Sequence, residues 1–160
     1  MTSHQIASKM HIENLPAPHI FIVSAVIHTP DSRYLMQLRD NKLGLPLRDH
    51  WAFFGGEVEP GEAPDQAVLR EIEEELTYRP SNCCWFHEAV YVLPRHHKRI
   101  VRKAYYAIQI APKEVASMVQ REGADLRLMS VAEILALQRV APWDVSVVLL
   151  HAREDAIYHP

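Results

Sequence analysis

Cysteine is nearly absent from this chain. Its 160 residues hold two, Cys83 and Cys84, side by side. Adjacent cysteines are poor disulfide partners, and two thiolates fall short of the four ligands of a structural zinc site. Two ordinary thiols in a reducing compartment are expected. Long apolar runs are missing too, and nothing approaches the roughly 18 residues of a spanning helix. The opening stretch MTSHQIASKMHIENLPAPH has no apolar core of the signal-peptide kind. A cytoplasmic protein with no membrane contact is the expectation. Charge of one sign is not in excess: 17 Lys and Arg stand against 20 Asp and Glu, a net charge of −3. That is too mild to call for nucleic acid. Glycine numbers only five, so the adjacent pair Gly55-Gly56 stands out.

What remains is the material of an ordinary folded domain, 48% hydrophobic and 23% charged, enough for one core over residues 1–160. Residues 1 to about 18 are polar and carry Pro16 and Pro18, which suggests an arm. Ile20–Ile27 is an apolar, β-rich run and predicts a buried strand. Thr29-Pro30-Asp31-Ser32 is a turn into a second strand, Tyr34–Arg39. Residues 40–50, with Gly44 and Pro46, read as a loop. Asp40, Arg48, Asp49 and His50 there are candidate substrate contacts, against the plainer reading of a solvated loop. Trp51–Phe54 is a short strand. Trp85–Val92 and Ile100–Ile110 form a hairpin around residues 95–99. A short helix is expected from Pro112 to about Gln120 and a strand over Leu126–Met129. Ser130 with Glu133 three residues on is a capping box, and a last helix is expected from Trp143 to about Ala152, with Tyr158 and His159 in a tail. Strands, a helix, more strands and then helices predict a mixed sheet covered on both faces.

The most informative stretch is Gly55–Tyr78, GGEVEPGEAPDQAVLREIEEELTY. At 100° per residue, Val68, Leu69, Ile72 and Leu76 share one apolar stripe that should face a core. Glu71, Glu74 and Glu75 fall beside that stripe, whereas Glu73 and Gln66 point to solvent. Like charges at this spacing oppose a helix by about 0.2–0.5 kcal/mol per pair, and a divalent cation would offset them. Pro64 suits the first helical position, which makes Ala63 a poor N-cap. Pro80 should end the helix by Tyr78. Thr77 is β-branched, so a left-handed C-cap is not expected there.

Gly56, five residues, Glu62, seven residues, then Arg70-Glu71-Ile72-Glu73-Glu74-Glu75 resembles the Nudix box. Every charged position of that motif is matched, and Tyr78 stands at its last apolar position. Thr77 replaces the usual glycine, and Phe54 stands where the lead-in commonly has proline. The resemblance implies a Nudix fold, an α/β/α sandwich with a mixed sheet and a loop–helix–loop catalytic motif. It implies hydrolysis of the phosphoanhydride of a nucleoside diphosphate linked to another group, such as a nucleotide sugar, with Mg²⁺ or Mn²⁺ as cofactor. Glu71, Glu74 and Glu75 would bind the metal, with a backbone carbonyl of Gly55 or Gly56. Arg70 would orient the glutamates with Glu62 as its partner, and Glu74 or Glu75 would polarise water. Relatives often use one more acid from outside the box. Glu122 is preferred over Glu88, Glu114 and Asp125, because Glu122-Gly123 lies in a loop just before a strand.

Other features stay open between readings. Arg95, Lys98, Arg99, Arg102 and Lys103 either hold substrate phosphates, with Arg99 and Arg102 the named candidates, or protect a hairpin tip and edge strand. His96-His97 would point to opposite faces of a strand, against metal ligation. The partner expected is a small nucleotide diphosphate, and the assembly is open between monomer and homodimer. The alternative to an enzyme is a catalytically silent nucleotide-binding regulator, whose expected mark would be loss of a box glutamate or Arg70. An isomerase of isoprenyl diphosphates on the same fold would need a catalytic cysteine, and Cys83 and Cys84 have no suitable spacing.

Overall fold

A computed structural model describes residues 17–93 and 99–158. The polar arm to residue 16, the hairpin tip with Arg95, His96, His97 and Lys98, and His159 lie outside the described residues. The elements are β1 (Ile20–His28), β2 (Arg33–Leu38), β3 (Trp51–Ala52), α1 (Pro64–Leu76), β4 (Cys84–Leu93), β5 (Arg99–Gln109), α2 (Pro112–Val115), β6 (Asp125–Ser130), α3 (Val131–Ala136) and α4 (Pro142–Tyr158). The sheet runs β3-β2-β1-β5-β4, with β6 also paired to β2. It is mixed: β1 lies parallel to β5 from Ile20↔Val101 to His28↔Gln109, and the β1–β2, β2–β6 and β4–β5 pairs are antiparallel.

Both faces of β1 are covered, which explains its unbroken apolar run. Val23, Ala25 and Ile27 pack with Phe54, Ala104 and Ile108 against Ala67, Val68, Ile72 and Leu76 of α1. Val26 faces the opposite layer, with Tyr34, Phe53, Tyr105 and Met129 beneath Ile134 of α3 and Val147 and Val148 of α4. The α/β/α sandwich expected from the sequence is therefore present. Burial of Val68, Ile72 and Leu76 is complete and contributes about 1.5–3 kcal/mol for each side chain.

The second layer contains a charge that the sequence did not announce. Asp144 is fully buried in α4. It accepts from Lys103 Nζ at 2.6 Å, the Tyr105 hydroxyl at 3.0 Å and the Phe53 N–H at 3.0 Å. Lys103 is thus a core residue, not a member of an exposed basic hairpin, and burial pushes its pKa down despite Asp144.

β3 stops at Ala52, two residues short of the expected Trp51–Phe54, and three further boundaries differ from expectation. The 112–120 helix is one turn, Pro112–Val115, and the last helix runs on to Tyr158. The third is Thr77, which does adopt the left-handed C-cap, at φ 50° and ψ 24°. Its N–H donates to the Glu73 carbonyl at 3.1 Å, and its hydroxyl donates to Leu76 O at 2.6 Å and accepts from Val119 N at 3.2 Å. Those bonds to a distant segment offset the strain that a β-branched residue meets there.

At its other end α1 starts as expected, with Ala63 extended at ψ 139° and no side-chain cap. Ala63→Ser should raise stability by about 0.5–1 kcal/mol. Thermal or urea unfolding checks this, and an unchanged or lower midpoint would contradict the N-cap assignment.

Candidate metal and active site

The turn of α1 facing β2 carries the site. The sequence folds tightly there because Gly55 and Gly56 leave room for it. Gly55 sits at φ 137° against the backbone of Val23 and Ser24, and a side chain on Gly56 would overlap the Glu71 carboxylate. The 54–57 strand segment bridges to β1 at Ala25 and Ile22, which brings Gly55 under the last turn of α1.

Glu75 is the buried acid, only 7% exposed. Its carboxylate accepts from Gln37 Nε2 at 3.1 Å and from the Gly55 N–H at 2.9 Å. Burial, aided by the charges of Glu71 and Glu122, raises its pKa to about 7 against the lowering effect of those two hydrogen bonds. Arg70 organises the other acids. It reaches Glu62 through Nε at 2.9 Å and a second nitrogen at 3.0 Å, Glu71 at 2.7 Å, Glu74 at 3.3 Å and the Glu57 carbonyl at 3.2 Å. The hydrogen bond to Arg70 holds the Glu62 pKa below its usual value. At Glu71 burial outweighs Arg70, and the pKa is raised.

The three helix acids do not share one point. Glu74 is 60% exposed, Glu75 turns inward to Gln37, and Arg70 draws Glu71 and Glu74 to itself. Among the described residues no three His, Cys, Asp or Glu side chains are grouped as metal ligands. The oxygens are nonetheless of the type that suits a hard cation, and burial, with the neighbouring acids adding to it, raises the pKa of Glu71 and Glu75.

Glu122 joins this cleft. Val119 N donates to Leu76 O at 3.1 Å and Arg121 N to Glu75 O at 2.8 Å, tying the 117–124 loop to the end of α1. Gly123, at φ 89°, lets the loop pass against Gln37. The resulting cleft of about 230 Å³ is lined by Glu75, Glu122, Gln37, Arg39, Asp40 and Lys42. The other outside acids are engaged elsewhere: Glu88 with Arg102, Glu114 with the Tyr78 hydroxyl and Ala111 N–H, and Asp125 with Arg127. Sequence reasoning missed Gln37, Arg39 and Lys42, which lie on or just after β2, far along the chain from α1. Lys42 pairs with Asp40 at 2.7 Å. Arg102 makes a two-pronged pair with Glu88, both contacts at 2.9 Å, and lies over the Phe21 ring.

The NUDIX domain family matches residues 18–150. An 8-oxo-dGTP diphosphatase from Proteus vulgaris is 36% identical over 56 residues, which span 32% of this chain and 50% of that protein. The chain spans half or less of the length of the curated relatives it matches. Among solved structures, the MutT protein from Methanosarcina mazei Go1 superposes with a TM-score of 0.73 at 19% identity, covering 89% of this chain and 99% of that one. The NUDIX domain of Shewanella oneidensis NrtR, complexed with ADP ribose, gives 0.69 at 18% identity, covering 98% and 99%.

Because Glu75 holds its proton more tightly when folded, its contribution to stability is fully present below about pH 4.5 and is lost as pH rises through about 7. In metal-free buffer at pH 8, Glu75→Gln should therefore be more stable than the parent, by on the order of 2–3 kcal/mol. Near pH 4.5 the difference should vanish. Paired urea melts at the two pH values check this, and a variant less stable at pH 8 would contradict it.

Proposed function

This chain belongs to the Nudix family, and on that membership we propose that it hydrolyses the phosphoanhydride bond of a nucleoside diphosphate linked to another group, a nucleotide sugar or related nucleotide. The observation that carries the reading is the buried Glu75 carboxylate, held by Gln37 and the Gly55 N–H in a cleft that it shares with Glu122, its pKa pushed up to about 7 by burial with Glu71 and Glu122 adding to it. Glu71, Glu74 and Glu75 would hold Mg²⁺ or Mn²⁺, with Glu122 as the acid from outside the motif. A backbone carbonyl would add one more oxygen. Gly56 O already accepts the Val23 N–H at 2.9 Å. Gly55 O has no such hydrogen bond among the described residues, so Gly55 is preferred over Gly56. A bound divalent ion supplies charge neutralisation for the phosphates and a more acidic water.

The chain's own residues do the rest. Arg70 and Glu62 lock the Glu71 side chain, and Gln37 and the Gly55 N–H fix Glu75. Glu74, the most exposed acid of the three, would take a proton from attacking water. Lys42 and Arg39 bring positive charge to the same cleft, suited to phosphate oxygens. A silent regulator is the second reading, and the presence of Glu62, Arg70, Glu71, Glu74 and Glu75 weighs against it.

A screen of nucleoside di- and triphosphates and nucleotide sugars with Mg²⁺ tests the proposal. Turnover should fall by orders of magnitude, at least ~10²-fold, in Glu75→Gln. Binding without turnover in the parent, or near-parent turnover in the variant, would overturn it. Arg99 and Arg102 remain proposed phosphate contacts, although Glu88 must release Arg102 for it to serve. Arg102→Ala should then raise KM with kcat little changed. An unchanged KM would leave Arg102 as a structural partner of Glu88.

A further inference from the structure

Residues 40–50 connect β2 to β3 without regular structure, yet their backbone is pinned. Arg39 N donates to His50 O at 3.0 Å, Asp49 N to Arg39 O at 3.2 Å and His50 N to Leu47 O at 3.2 Å. The Arg39 Nε donates to Pro46 O at 3.2 Å. Two non-glycine residues, Leu47 and Asp49, sit at φ 54° and 56°, a conformation that persists only where the surroundings hold it. A loop held this firmly presents a fixed surface.

That surface is a groove of about 720 Å³, whose walls include Arg48, Asp49, His50 and Arg139. The Asp49 carboxylate is taken by Arg139 at 3.5 Å. No ion pair engages Arg48 among the described residues, so the groove carries excess positive charge. It adjoins the acid cleft: Leu45 lines both. Arg39 lines the cleft while its Nε holds the Pro46 carbonyl of the groove wall.

We propose that this groove is a second anion subsite, in which Arg48 and Arg139 hold a phosphate of the substrate lying beyond the anhydride that is cleaved. As to which substrates it selects, the proposal rests on the hydrolase reading; the anion site itself does not. A guanidinium fork matches phosphate oxygens two at a time. A divalent ion held by Glu71, Glu74 and Glu75 would neutralise the phosphates next to it, and a further phosphate would be left to the groove. An uncharged sugar there would accept hydrogen bonds from the guanidinium groups but would forgo the charge-assisted part of the attraction. Among nucleotides of the proposed class, the subsite therefore favours those whose linked group is anionic, as in a nucleoside triphosphate or longer polyphosphate.

Calorimetric titration of the full chain with inorganic tripolyphosphate in EDTA tests the subsite without catalysis. Arg48→Ala and Arg139→Ala should each weaken binding about tenfold, with added salt weakening the parent further. Asp49→Asn should tighten binding, since it frees Arg139, and asparagine tolerates the positive φ. No measurable binding by the parent, or equal affinity across all variants, overturns the proposal. With Mg²⁺, Arg48→Ala should raise KM for ATP and leave KM for ADP-glucose unchanged, and an equal rise for both would also contradict it. If the parent cleaves no nucleotide of the wider screen the hydrolase reading fails, while the titration still decides the subsite.

Discussion

A single carboxylate, that of Glu75, joins the parts of the site. It is buried under the last turn of α1, where it accepts the Gly55 N–H and the Gln37 amide. Those contacts link the helix to the glycine turn and to β2, and the Glu75 carbonyl fixes the loop that carries Glu122. A carboxylate in such a place is costly unless its charge is met. Two neutral donors meet it only in part, and its pKa rises accordingly. The helix could relieve this by exchanging the glutamate for an apolar residue. Retaining it makes sense if a cation completes the site.

Arg70 is the counterpart. Its guanidinium bridges Glu62 from the loop before α1 to Glu71 and Glu74 on the helix, which ties the loop to the helix. The acids are thereby split between two holders, Arg70 on the solvent side and the Gln37–Gly55 pair on the core side. A cation entering the cleft would compete with both.

Local features were legible in the sequence, and contacts between distant segments were not. The stripe of Val68, Ile72 and Leu76 follows from helical period alone, and all three are buried. Pro64 at the helix start and the Ser130–Glu133 capping box are likewise local chemistry, and both are present. Thr77 defied expectation because its strain is offset by the Val119 segment, 42 residues on. Lys103 looked like one of a basic cluster, since nothing near it in sequence announces Asp144. Gln37 and Lys42 carry no motif of their own. The preference for Glu122 rested on a loop before a strand, and its position in the cleft owes more to Gly123 and the backbone ties to α1 than to that signal.

The central claim is that Glu71, Glu74 and Glu75 of α1 would bind a divalent cation, with Glu75 at the core-side position. Thermal unfolding at pH 7.5, with and without Mg²⁺, addresses it most directly. Binding to the folded state alone adds RT ln(1 + [Mg²⁺]/Kd), about 1.4 kcal/mol at tenfold excess over Kd. The account predicts a raised Tm for the parent and little or no rise for Glu75→Gln. No shift in the parent, or the same shift in both proteins, would contradict it.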